Sequence, residues 1–106
     1  IALINNGHLG MVRQWQEMYF ENHLKAVPVP GPDYLKLAEA YGVEAVRVSE
    51  QEDVLPALRQ AKAHDGPFLI EFVVDQSTNV YPMVPPGGSL ADTIEDPAVV
   101  KGAPSP

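Results

Sequence analysis

The residues best suited to chemistry stand together near the start of the chain, as Asn5-Asn6-Gly7-His8. An asparagine side-chain oxygen is a hard, neutral donor that suits Mg²⁺, above all beside phosphate oxygens. Glycine lets the backbone approach a ligand closely and turn a carbonyl outward. A helix starting near Gly10 aims its first amides toward an anion. These residues describe half of a metal–diphosphate site. Equally, they describe a turn that ends a strand and caps a helix, the commoner meaning of so short a motif. The His8 ring has no acidic or nucleophilic neighbour in sequence, and His23 and His64 sit at polar helix ends, as surface residues do. Glu17 and Glu21, one turn apart, offer a carboxylate pair or simply a solvated helix face. No serine–histidine–acid order and no glycine-rich phosphate loop is visible, so no residue is assigned to catalysis.

Two further features bear on ligands. Trp15, the sole tryptophan, shares a helical face with Met11, Met18 and Tyr19. Such a face is most simply core, although Trp and Met also line adaptable pockets. The segment Tyr81-Pro82-Met83-Val84-Pro85-Pro86-Gly87-Gly88 joins stiff prolines to two glycines, as a gate over a pocket or a plain surface turn would.

These residues need a scaffold, and 106 residues with 45% apolar content suffice for one domain burying roughly 65% of its unfolded surface. There is no cysteine, hence no disulfide and no thiolate metal site. Net charge is −7, and the bases Arg13, Lys25, Lys36, Arg47, Arg59, Lys62 and Lys101 are scattered singly, with no basic stripe for nucleic acid. No apolar run approaches the ~20 residues of a membrane helix. Ile1-Ala2-Leu3-Ile4 has neither a basic start nor a cleavage site, so no targeting segment is expected. It reads as a buried strand, and the expectation is a piece of a larger protein.

Residues 1–4 predict a strand covered on both faces, and Met11, Trp15, Met18 and Tyr19 predict a helix over about 10–22. Pro28, Pro30 and Pro32 predict an extended connector. Asp33 caps a second helix, with Tyr34, Leu37, Ala38 and Tyr41 as its apolar face and Gly42 at its end. Val43 to Val48 predicts a strand. Ser49 and Glu52 have capping-box spacing before a helix with Pro56 in its first turn and Leu55, Leu58 and Ala61 as its packing face. Residues 67–75 are the clearest strand. The order β-α-α-β-α-β predicts an α/β fold, a partial parallel-sheet layer. The expected division is an α/β domain over 1–75 and an irregular, Pro-rich tail or lid over 76–106, with a short helix over Asp92 to Val100. The latter span holds six of the eleven prolines.

INNGHLGMVRQWQEMYFENH, PDYLKLAEAYGVEAVRV, GPFLIEFVVD and NVYPMVPPGGSL, in this order, resemble the C-terminal thiamine-diphosphate domain of the acetolactate (acetohydroxyacid) synthase catalytic subunit. The resemblance runs from about Ile1 to Ile94. Paired asparagines occur in many thiamine-diphosphate enzymes, whereas GMVRQWQ followed by YPMVPPG is characteristic of acetolactate synthases.

The family motif runs from Gly-Asp-Gly to Asn-Asn, and only the Asn-Asn end is present here. The resemblance implies that Asn6 gives its side-chain oxygen, and His8 its backbone carbonyl, to Mg²⁺. It implies that Asn6, Gly7, His8, Leu9, Gly10 and Met11 line thiamine diphosphate. Met11, Trp15 and Pro86 would face a substrate channel where family herbicides also bind. FAD and the cofactor-activating glutamate belong to parts outside this chain. The implied reaction condenses pyruvate with pyruvate or 2-ketobutyrate, with loss of CO₂, toward isoleucine, leucine and valine. The implied partners are the 2-keto acids, the rest of the subunit in a homodimer or homotetramer, and a regulatory subunit, in a bacterial-type cytoplasm. The alternatives are another thiamine-diphosphate enzyme, of pyruvate oxidase or sulfoacetaldehyde acetyltransferase type, or a non-catalytic binding or assembly module.

Overall fold

The computed structural model describes residues 1–97 of the 106. Strand β1 (Ala2–Asn5) leads to helix α1 (Gly10–Tyr19), followed by α2 (Tyr34–Ala40), β2 (Glu44–Val48), α3 (Val54–Ala63) and β3 (Phe68–Val73). The strands form one parallel sheet in the order β1-β3-β2, so β3, last in sequence, is central. This is the α/β layer expected from helical crossovers between apolar strands. Among the described residues, no helix is long and apolar enough to cross a membrane.

The register divides the sheet into two unlike faces. Val46 and Val48 on β2, with Phe68, Ile70 and Phe72 on β3, meet Val54, Ala57 and Ala61 of α3 in the hydrophobic core. The opposite face, toward α2, carries Leu3, Glu71 and Arg47 side by side in the ladder, with Asn5 two residues beyond Leu3. Its centre is ionic: Glu71 is 2% exposed and pairs with Arg47 at 2.8 Å.

Several local expectations hold. Asp33 caps α2, its carboxylate accepting from the Leu35 and Lys36 amides. Gly42, at φ +67°, follows the end of α2 in the left-handed conformation glycine tolerates best. Pro56 lies in the first turn of α3.

Others are corrected. Helix α1 stops at Tyr19 rather than 22, because Glu21 and Asn22 adopt positive φ and the Gln16 side chain binds both the amide and the carbonyl of Lys25, drawing the chain back. The expected faces of α2 and α3 hold only in part: Ala38 is buried and Ala61 packs on the core as expected, but the larger residues do not follow. Leu37, Tyr41, Leu55 and Leu58 are exposed, while Ala38 and Ala57 are buried. Small residues face the sheet here because they let the helices approach it closely. No capping box forms at Ser49 and Glu52, where a short 3-10 turn (Gln51–Asp53) precedes α3 without a side-chain cap. A capping box forms instead between Ser89 and Asp92, around the 3-10 turn Leu90–Asp92. Asp92 therefore closes that turn and Ile94 is bridged to Met83, so the helix expected over Asp92–Val100 does not begin there. Residues 98–100 of that expectation lie outside the described residues.

Candidate functional site

Strand β1 delivers Asn5 and Asn6 to the carboxyl edge of the sheet, where parallel α/β folds place their ligands. Each asparagine closes a turn on itself. Asn5 Oδ1 accepts from the Gly7 amide at 2.9 Å, and Asn6 Oδ1 from the His8 amide at 3.1 Å. Gly7 has φ +67°, and a side chain there would project into space with nothing within 4 Å. The loop is braced by the Pro-rich connector: Leu9 N–H donates to Val27 O at 2.9 Å and Val29 N–H to Gly7 O at 2.8 Å. This brace, an antiparallel bridge of His8 with Pro28, uses the Gly7 carbonyl and the Leu9 amide rather than the His8 carbonyl. The connector's prolines thus hold an extended segment rigid against the loop.

Helix α1 starts at Gly10, and Leu9 before it offers no side-chain cap. First-turn amides left this way favour an anion. A Cβ on Gly10 would come within 2.9 Å of Asn6 Nδ2, so glycine there keeps the Asn6 amide in place. Asn5, Asn6, Gly7, Val73, Val74 and Gln76 line a concavity of about 240 Å³ at the ends of β1 and β3.

The donor set suits Mg²⁺ in type: Asn6 Oδ1, a hard neutral oxygen, accepts one hydrogen bond and keeps a second lone pair. It is incomplete in number. Among the described residues no group of three or more His, Asp or Glu could hold a metal. The His8 ring turns back on its own loop, Nδ1 lying 3.2 Å from Asn6 O. His23 Nδ1 lies 3.0 Å from Phe20 O, and His64 meets Phe68 edge-on. Glu17 and Glu21 do not form a carboxylate pair. Glu17 is taken by Arg13 and Asn79, and Glu21 lies beyond the helix.

Helix α1 reverses the expectation for its apolar face. Arg13 and Gln14 are buried, whereas Met11, Trp15, Tyr19 and Phe20 are exposed. Trp15 is 40% exposed and meets Tyr19 edge-on at 5.9 Å. It is therefore not part of this chain's own core. With Met11, Val12, Gln16 and Phe20 it lines an apolar hollow of about 370 Å³.

The buried polar pair faces the segment after β3. Gln14 Nε2 donates to Val80 O at 3.0 Å, its Oε1 accepts from Val80 N–H at 2.8 Å, and Met83 Sδ lies 3.0 Å from Nε2. Arg13 donates to Ser77 O at 2.7 Å, Asn79 Oδ1 at 2.6 Å and Glu17 at 3.0 Å. The Ser77 amide and hydroxyl hold the Asp75 carboxylate below its usual range, with the Arg13 charge adding to them. The sequence motifs around Arg13-Gln14 and Tyr81-Pro82-Met83 are thus joined in space. Pro86 is exposed in the turn closed by Gly88 N–H on Pro85 O. The bonds that hold this segment to α1 come from Ser77, Asn79, Val80 and Met83.

Two groups were not singled out from sequence. The roles of Arg13 and Gln14 rest on partners more than sixty residues away, which periodicity does not register. Glu71 did carry a signal: a lone carboxylate inside the apolar run PFLIEFVVD must find partners if buried.

Comparison with known proteins adds a lineage. Residues 1–72 match the family "Thiamine pyrophosphate enzyme, C-terminal TPP binding domain". The chain is 43% identical over 98 residues to the acetolactate synthase large subunit of Corynebacterium glutamicum, covering 87% of this chain and 16% of that protein. It is 38% identical over 96 residues to the acetolactate synthase isozyme 2 large subunit of Escherichia coli, covering 90% of this chain and 18% of that protein. Among solved structures, a thiamine diphosphate-dependent 4-hydroxybenzoylformate decarboxylase from Rhodococcus jostii superposes with a TM-score of 0.61 at 35% identity, over 71% of this chain and 15% of that one. The chain thus spans less than a fifth of the length of these curated relatives.

Proposed function

The chain belongs to the thiamine pyrophosphate enzymes, as a C-terminal TPP-binding domain, and from that premise we propose that its parent is an acetolactate synthase catalytic subunit. That parent condenses pyruvate with pyruvate or 2-ketobutyrate, with loss of CO₂. The observation carrying the cofactor part of this reading is the Asn5–His8 loop at the carboxyl edge of a parallel sheet, braced by the connector and running into an uncapped helix, and the choice of parent rests on the 38–43% identity to acetolactate synthase large subunits.

When bound, thiamine diphosphate supplies a nucleophilic carbon and an electron sink for decarboxylation. This chain's residues bind and orient it. Asn6 Oδ1 and the His8 carbonyl serve Mg²⁺, Gly7 leaves room for close approach, and the stretch from Leu9 to Met11 brings the first helical amides toward the diphosphate. Gly10 holds Asn6 in register. Met11 and Trp15 present an apolar wall to the substrate, and the segment from residue 76 onward, carrying Pro86, closes over the same channel. A dry apolar wall strengthens the electrostatic interactions inside the site. FAD, the remaining Mg²⁺ ligand, a partner subunit and a regulatory subunit complete the parent. Assayed alone with pyruvate, thiamine diphosphate and Mg²⁺, the 106 residues are expected to form no acetolactate, and clear turnover would refute this reading.

The test is Asn6→Ala in the intact parent. It removes one hard oxygen donor from the place where Mg²⁺ would be held. Mg²⁺ half-saturation at fixed thiamine diphosphate should rise, with the thermal midpoint of the cofactor-free protein unchanged. An unchanged half-saturation would refute Asn6 as a ligand. The rival chemistry, decarboxylation alone as in the name of the structural neighbour, is separated by product: an aldehyde rather than acetolactate.

A further inference from the structure

Glu71 is among the most buried charged residues of the described chain, and both its oxygens are committed. Oε1 accepts from Asn5 Nδ2 at 2.7 Å, and Oε2 accepts from Arg47 Nε at 2.8 Å. Arg47 in turn donates through Nη2 to Asp33 Oδ1 at 3.2 Å. The fold alone does not call for this arrangement: Arg47 is 42% exposed, so Glu71 is the one buried charge of the pair, and a buried charge with its partner is often replaceable by apolar side chains without loss of stability. What Glu71 does that an apolar residue cannot do concerns Asn5.

A primary amide has two ends of almost equal size, one donating and one accepting. Asn5 lies between Glu71, which only accepts, and the Gly7 N–H, which only donates. One orientation satisfies both: Nδ2 toward Glu71 and Oδ1 toward Gly7. Flipped, the amide would set oxygen against carboxylate and N–H against N–H. The Gly7 bond it secures, at 2.9 Å, closes the turn that holds Gly7 at φ +67°. That turn carries Asn6 and His8.

We propose that Glu71 is a positioning residue for the cofactor loop, acting through the Asn5 amide to set the Gly7 turn that presents Asn6 and the His8 carbonyl. This deepens the reading of that loop as the thiamine diphosphate–Mg²⁺ site and rests on it. Arg47 holds the second Glu71 oxygen and keeps the first turned to Asn5.

The donor–acceptor logic supplies its own test. Glu71→Gln puts an N–H₂ either against the Arg47 N–H or against the Asn5 N–H₂. Asn5→Asp sets two carboxylates face to face. The double variant, N5D with E71Q, matches every group again at unchanged net charge. The amide nitrogen now at position 71 donates to the carboxylate now at position 5. That carboxylate accepts from Gly7 as before, and the new amide's oxygen accepts from Arg47.

The measurement is the affinity of the cofactor-free intact parent for thiamine diphosphate at saturating Mg²⁺, by titration calorimetry, with the thermal midpoint recorded alongside. Each single change should weaken binding about tenfold or more, the usual effect of removing a group that orients a ligand. The double variant should bind at least about tenfold better than the weaker single, which a residue serving stability alone would not produce. Singles that bind as wild type, or a double variant no better than the weaker single, overturn the proposal. Should one single fail to fold, the other against the double decides, and a double variant that fails to fold overturns the proposal as well. If the wild-type parent binds no thiamine diphosphate, the reading of the loop itself fails, and the proposal with it.

Discussion

Gln14→Leu in the intact parent tests how α1 holds the segment after β3. Gln14 is 1% exposed, and its amide spans both polar groups of Val80, accepting from N–H at 2.8 Å and donating to the carbonyl at 3.0 Å. Leucine fills similar volume, so the packing term nearly cancels; the two hydrogen bonds to Val80 are lost, together with weaker N–H···S contacts to Met18 and Met83. Val80 is itself 60% exposed, so water can reach its backbone once the segment lifts, and the full penalty for a buried orphan does not apply. At about 1 kcal/mol per bond the loss is about 2 kcal/mol. That is roughly thirtyfold in the equilibrium between docked and detached segment. Because Gln14 and Arg13 bind this segment rather than the sheet, detachment should be local, and the global thermal midpoint should fall little. The assay is hydrogen exchange at the Val80 amide, with the Met83 and Ile94 amides of the adjoining bridge followed alongside. Val80 should exchange faster by about the same factor. The amides of the central strand, such as Ile70, should keep their protection. Unchanged protection at Val80 would refute the clamp, and equal loss throughout would show that α1 supports the whole fold.

Trp15→Leu in the parent should cost less than about 1 kcal/mol, far below a core tryptophan, because the residue is 40% exposed and meets Tyr19 edge-on at the surface of the helix. Binding of a channel inhibitor should drop sharply, so a large fall in thermal midpoint with unaltered inhibition would contradict the assignment. Asp33 gives a pH signature. Partial burial pushes its carboxyl up, but the Lys36 and Leu35 amides and the Arg47 and Lys36 charges outweigh this and hold it below its usual value. A lowered folded-state pKa means stability that is present above the unfolded value and is lost as pH falls below about 4. Asp33→Asn should therefore flatten the acid limb of thermal midpoint against pH in that range, and an unchanged slope would remove Asp33 as its source.

Much of the scaffold is legible in local chemistry. Continuous apolar runs at residues 1–4 and 67–75, with helical spacing between them, specify parallel strands with crossovers, although β1 lies at the sheet edge with Ile4 64% exposed rather than covered on both faces. Asp33 and Gly42 delimit α2, because a short carboxylate satisfies first-turn amides and glycine alone takes positive φ cheaply. The loop falls at a strand end for the same reason: Asn5 is the last residue paired in the ladder, and the turn-forming Asn6 and Gly7 carry the chain out of it. The pairing order β1-β3-β2, by contrast, depends on which strands bury one another, and spacing along the chain does not encode it.

Which face each helix turns inward is settled by what the folded chain sets against it. Periodicity locates an apolar stripe but not what lies opposite. In α1 the stripe of Met11, Trp15 and Tyr19 faces outward, while Arg13 and Gln14 are buried because the segment from Ser77 to Met83 presents backbone groups that only polar side chains can satisfy. In α2 and α3 the sheet selected Ala38 and Ala57 over the larger leucines, because close approach buries more surface than a long side chain held at arm's length. Glu71, visible in sequence as one charge in an apolar strand, acquired its meaning only when folding brought Asn5 and Arg47 to either side of it. The elements and the loop chemistry are written in the sequence, since both arise from neighbours along the chain. The longer-range polar contacts that orient the loop and hold the tail join residues eighteen to sixty-nine positions apart, and the closed chain alone creates them.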